Sequence, residues 1–86
     1  MALFDLEFAS SIRKDLKKIH KKEVIKILSE IQNLTEDPRP ANCKKLTNEE
    51  LYRIRIGNYR VIYEIFDERL IVHVVKVGHR KDVYKN

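Results

Sequence analysis

Between residues 51 and 66, Tyr52, Ile54 and Ile56 alternate with Arg53 and Arg55, a Gly57-Asn58 pair follows, and then comes the aromatic, β-branched run Tyr59-Arg60-Val61-Ile62-Tyr63. The pattern predicts two antiparallel strands joined by a tight two-residue turn. Strand side chains alternate between faces, so Tyr52, Ile54 and Ile56 point one way and Arg53 and Arg55 the other. With Gly57 and Asn58 as the turn, Arg55 falls directly opposite Arg60 on one face. Like charges paired across a hairpin are destabilising, by a few tenths to about 1 kcal/mol. Fold stability therefore does not select this arrangement, whereas an anion bound there would.

The rest of the chain supplies elements to cover that hairpin. Residues 2–8 alternate Leu and Phe with short or acidic residues, which predicts a first strand with Asp5 and Glu7 on one face. Ser10 or Ser11 is placed to cap a helix. Ile12, Leu16 and Ile19 give it a narrow apolar stripe, and after a break at His20-Lys21-Lys22 a stronger one follows in Val24, Ile27, Leu28, Ile31 and Leu34. Asp37-Pro38-Arg39-Pro40 ends the second helix, because a residue before proline avoids the helical region. Residues 41–50 read as a connection, with Leu46 pinning it to the core. Asp67-Glu68-Arg69 reads as a second turn, of two or three residues, and residues 70–77 as an almost continuously apolar strand, either buried on both faces at the centre of the sheet or with its far face under another segment. The length of that turn decides which face carries His73, a strand histidine with a local partner. Gly78 is expected to end the strand and to release a basic tail, His79 to Asn86. The fold expected is α+β in the order β-α-α-β-β-β, with a two-helix hairpin on one face of a mainly antiparallel four-stranded sheet.

At 86 residues the chain is long enough for one core and too short for two, so a single domain spanning residues 1–86 is expected. Its formal net charge of +5 makes nucleic acid the first partner to consider, an acidic protein the second and a membrane surface the third. No apolar run approaches the ~20 residues of a membrane span and no signal sequence opens the chain, which predicts a cytoplasmic protein with no membrane partner. Cys43 is the single cysteine, read as a bystander thiol, and His20, His73 and His79 are widely spaced, so neither a metal nor another cofactor is expected.

Within residues 13–26 seven cations, Arg13, Lys14, Lys17, Lys18, Lys21, Lys22 and Lys26, stand against Asp15 and Glu23. They read first as the solvated side of two amphipathic helices and second as a face meeting phosphates without sequence preference. Both readings can hold at once.

The order of elements, with Tyr52-Arg53-Ile54-Arg55, Gly57-Asn58-Tyr59-Arg60-Val61-Ile62-Tyr63 and Val77-Gly78-His79-Arg80 followed by Tyr84, resembles the RelE/ParE superfamily of bacterial and archaeal toxins over essentially the whole chain. The paired strand cations and the Gly-x-Arg…Tyr tail resemble its RNA-cleaving branch, the small endoribonucleases of type II toxin–antitoxin pairs. The resemblance implies metal-free cleavage of mRNA in the ribosomal A site, with the RNA 2′-OH as nucleophile. A cognate antitoxin would silence the enzyme in a heterotetramer or similar assembly. It implies a catalytic set of Arg53, Arg55, Arg60, Arg80 and Tyr84, in which guanidiniums stabilise the phosphorane. Relatives often carry lysine at the positions of Arg53 and Arg55, and arginine is a poor proton carrier. Proton transfer therefore falls to the tail, where Tyr84 and His79 are the residues of suitable pKa. Lys14, Lys17, Lys18, Lys21, Lys22, Lys76 and Lys81 are the expected contacts to RNA or ribosome. Two other readings stand beside this one: a ParE-like poison of DNA gyrase that cleaves no RNA, and a basic RNA-binding module without catalysis.

Overall fold

In a computed structural model, which describes residues 3–46 and 50–79, the Gly57-Asn58 turn forms where the alternation predicts it. Positive φ falls on Gly57 alone (61°), the pattern of a type II′ turn. It joins β3 (Leu51–Ile56) to β4 (Tyr59–Phe66), antiparallel with Arg55 opposite Arg60. β5 (Ile71–His79) lies antiparallel on the other side of β4, and β1 (Asp5–Phe8) runs parallel to β5. The helices α1 (Ile12–Lys17) and α2 (Lys21–Asn33) follow β1 in sequence.

The α+β architecture agrees with the sequence reading, but the mixed sheet has five strands rather than four, ordered β1-β5-β4-β3-β2. The added strand, β2 (Lys44–Lys45), pairs with Arg53 and Tyr52 inside the stretch expected to be a connection. Two residues are too few to carry a period, and lysines on an edge strand discourage further pairing.

One face of the sheet carries the core. Ile54, Ile56, Val61, Tyr63, Val72, Val74 and Val77 pack against Ile12, Ile27, Ile31 and Leu34 from the helical side. Ile27 and Ile31, one helical turn apart, are fully buried, whereas Leu28 in the same expected stripe remains 39% exposed. His20, which the sequence marks only as a break, caps α2: its Nδ1 accepts from the Lys22 N–H at 3.2 Å. Ser11 occupies the N-cap of α1 without a side-chain bond.

β5 departs from expectation in three ways. It runs through Gly78 to His79, so the glycine does not end it. The loop before it spans four residues, 67–70, and pairs His73 with Glu64, on the same face as Arg60 and Ile62. Finally, the strand is not buried on both faces. A bulge sets Ile62 opposite Lys76 and Tyr63 opposite Val74, leaving Val75 as the extra residue. The bulge shifts the alternation by one, so Val74 and Val77, three residues apart, both reach the core. The run of valines reflects that shift rather than burial on two sides.

Candidate functional site

On the sheet face turned away from the helices, strand register lines up the cations. One row is Lys44, Arg53, Ile62 and Lys76, and the next is Arg55, Arg60 and Gly78. Arg53 and Arg60 are each only 7% exposed, while Arg55 is open to solvent. Burial first, and the charge of Arg55 second, hold the Arg53 guanidinium below its ordinary value. An arginine starts so far above neutrality that Arg53 stays cationic. Nearby, Glu50 pairs with Lys45 at 3.4 Å.

A second set of contacts holds β3 and β4 in place. Arg39, between its two prolines, donates to both carboxylate oxygens of Asp67 (3.1 and 2.8 Å) and, through Nε, to the Tyr52 hydroxyl (3.2 Å). Its guanidinium lies 5.2 Å from the Tyr52 ring centroid, and the Tyr52 and Tyr63 rings stack at 5.9 Å. The Tyr63 hydroxyl donates to the Pro38 carbonyl at 2.7 Å, and burial pushes that phenol above its usual range. The Asp67 hydrogen bonds raise Arg39 and, reciprocally, hold the Asp67 carboxyl below the ordinary range. Arg39 thus ties the proline loop to the sheet and takes no part in the arginine rows.

At the β5 edge a third arrangement appears that the sequence reading missed. β1 pairing ends at Phe8 opposite Val74, and beyond it no strand among the described residues pairs with β5 on that side. Asp15 of α1 fills the gap: Oδ2 accepts the Val77 N–H (3.1 Å) and Oδ1 accepts from Lys76 Nζ (3.2 Å). The one signal in the sequence was a lone acid inside the basic run of α1. Beside it opens a cleft of about 390 Å³ lined by Asp15, Lys18, Tyr59, Lys76, Gly78 and His79, with Ile19 and Val77 at its base. The Tyr59 and His79 rings meet edge-on, 5.7 Å apart at 78°. A separate apolar cleft of about 580 Å³, lined by Phe8, Ile12, Leu16 and Leu28, separates β1 from the helices.

The structure thus brings Arg53, Arg55 and Arg60 together on one face and gathers Lys18, Lys76 and His79 around the adjoining cleft. Lys14, Lys17, Lys21 and Lys22 are exposed on the helices, away from the arginine rows. Arg80, Lys81 and Tyr84 lie outside the described residues. His73 has the local partner expected of it, Glu7 at 3.4 Å, and Cys43 packs against the core.

A two-helix, five-stranded domain with arginines aligned on the sheet face turned away from the helices defines a class of small basic α+β proteins. The profile of the family described as "ParE toxin of type II toxin-antitoxin system, parDE" matches residues 6–84. The chain is 37% identical over 82 residues to toxin RelE3 of Methanocaldococcus jannaschii, covering 90% of this chain and 91% of that one. It is 28% identical over 83 residues to the mRNA interferase toxin RelE of Escherichia coli K12, covering 94% and 86%. In three dimensions it matches the toxin–antitoxin complex RelBE2 of Mycobacterium tuberculosis at a TM-score of 0.83 and 28% identity, covering 95% and 97%. The chain belongs to the RelE/ParE superfamily of type II toxins.

Proposed function

We propose that this toxin is a metal-independent endoribonuclease that cuts mRNA in the ribosomal A site and so arrests translation. The observation that carries the reading is the pairing of Arg55 with Arg60, directly opposite on a face where Arg53 is also buried. Like charges paired across a hairpin cost stability, and an anion bound between them would offset that cost. The naming of a relative as an mRNA interferase supports RNA as that anion.

In this reading the 2′-oxygen attacks the adjacent phosphorus, the bond from phosphorus to the 5′-oxygen breaks, and a cyclic phosphate remains. Arg53, Arg55 and Arg60, completed by Arg80, hold the charge that accumulates on the phosphorane. Tyr84 or His79 takes the proton from the 2′-OH, and a proton is returned to the departing 5′-oxygen. Lys14, Lys17, Lys21 and Lys22 on the helices, with Lys18, Lys76 and Lys81, meet ribosomal or messenger RNA through phosphate contacts without sequence preference. Lys21 and Lys22 occupy the first turn of α2, where the helix dipole disfavours cations, so helix stability does not select them. A cognate antitoxin is the silencing partner, a reading the toxin–antitoxin complex RelBE2 of M. tuberculosis supports, and the assembly proposed is a heterotetramer or similar.

The test is to induce the chain in cells and map RNA ends by primer extension. Codon-phased cuts in translated mRNA are expected. Gyrase-linked DNA breaks with intact mRNA would overturn the reading in favour of a ParE-like poison.

A further inference from the structure

We propose that the cleft beside Asp15 is a nucleobase pocket, which receives the base of the nucleotide next to the phosphate held by Arg55 and Arg60. The inference rests on the endoribonuclease reading and adds to it a site for a base. Position is the first argument. Tyr59 lies opposite His79 and Arg60 opposite Gly78, so the rows carrying the cleft and the clamp are neighbours, about 3.3 Å apart along the strands, on opposite faces of the same sheet end. A nucleic acid strand crossing the arginine face at Arg60 next meets Gly78, which places no side chain in its way. Beyond Gly78 is the edge of β5, which among the described residues has no paired strand past Phe8 and is met there by Asp15 of α1. Lys76 shows how narrow that edge is: its backbone lies in the row of Arg53 and Ile62, yet its ammonium turns round to Asp15 at the mouth of the cleft.

Chemistry is the second argument. The cleft, at about 390 Å³, falls within the size range of small-ligand sites. It offers an aromatic ring at Tyr59, an apolar base in Ile19 and Val77, the Asp15 carboxylate as acceptor and the ammoniums of Lys18 and Lys76. A flat ring bearing N–H donors and attached to an anionic backbone matches each of these. Stacking on the tyrosine gives grip without sequence selection, the acceptor meets a base N–H, and the lysines neutralise the flanking phosphate.

The experiment uses fluorescein-labelled 2′-O-methyl oligoadenylate of seven nucleotides, which cannot be cut because its nucleophile is blocked, and a set of the same oligomers with one abasic position each. Binding is read by fluorescence anisotropy on the full chain. One abasic position is expected to weaken binding to the unaltered protein about tenfold, and the others little. Tyr59→Leu should lose the same factor and be indifferent to that abasic position, while Tyr59→Phe binds as the unaltered protein does. Should Tyr59→Leu fail to fold by circular dichroism, the abasic scan decides without it, together with Lys18→Gln, which should flatten the salt dependence. An even response to every abasic position, or full affinity in folded Tyr59→Leu, overturns the pocket. If the unaltered protein binds the oligomer and Arg55→Gln weakens it while the scan is flat, the pocket alone falls. If the protein neither binds RNA nor cuts mRNA in cells, the endoribonuclease reading falls and takes the pocket with it.

Discussion

At Arg55 a single side chain sets stability against activity. It is paired with Arg60 across the hairpin, and its charge helps to lower the pKa of buried Arg53. Replacing Arg55 with glutamine removes the repulsion and is expected to raise unfolding free energy by a few tenths to about 1 kcal/mol in urea titrations without RNA. In the proposed endoribonuclease the same change removes a donor to the phosphorane, so mRNA cleavage should fall by about 100- to 1000-fold. A variant that lost both stability and activity would assign Arg55 a structural role instead. Asp67 behaves oppositely, as a purely structural charge. Its folded-state pKa is depressed by Arg39, so the pair stabilises the fold above the ordinary carboxyl range and that contribution disappears as pH falls through the folded value. Thermal midpoints of the unaltered protein and Asp67→Asn should therefore differ at neutral pH and converge in acid. Equal midpoints at every pH would show that the exposed bidentate pair adds nothing.

At the scale of elements, the loop between β4 and β5 stores strain. Leu70 adopts φ of 54°, a left-handed conformation that costs a non-glycine residue roughly 1–2 kcal/mol, while its carbonyl accepts the Asp5 N–H at 2.7 Å and so anchors β1. Leu70→Gly should raise stability by about 1 kcal/mol, read from the denaturant midpoint at unchanged m, and a lower midpoint would show that the half-exposed leucine side chain outweighs the strain. The four-residue loop was one of the features that local pattern could not reveal, since Asp67-Glu68-Arg69 fits turns of several lengths. The β3–β4 hairpin, by contrast, was readable to the residue. Alternation, a glycine that takes positive φ and β-branched partners all agree there, and so the opposition of Arg55 and Arg60 followed from sequence. The β5 bulge was hidden because a shifted alternation and a doubly buried strand produce the same apolar run. Asp15 was unreadable for a different reason: its role depends on where β1 stops, a tertiary fact with no local signature. The arginine half of the site was therefore visible and the cleft was not.

At the scale of the whole molecule, the described residues include two cationic surfaces, the arginine face of the sheet and the exposed sides of α1 and α2, and in the endoribonuclease reading these should meet different stretches of RNA. A short single strand can lie only over the clamp and the β5 edge, whereas a ribosome is large enough to touch the helices as well. Salt dependence separates the two, because log K falls with log salt by about 0.7 for each phosphate neutralised on a single strand. For the 2′-O-methyl heptamer, Arg55→Gln should reduce that slope by about 0.7, and the double change Lys21→Gln with Lys22→Gln should leave it unaltered. For purified ribosomes the order reverses: the α2 double variant loses slope and affinity, because Lys21 and Lys22 stand at a helix terminus whose dipole opposes them and gain only from an external polyanion. Loss of heptamer affinity in the α2 double variant would mean that one RNA segment spans both surfaces, and unchanged ribosome affinity would reduce the helix cations to a solvated face.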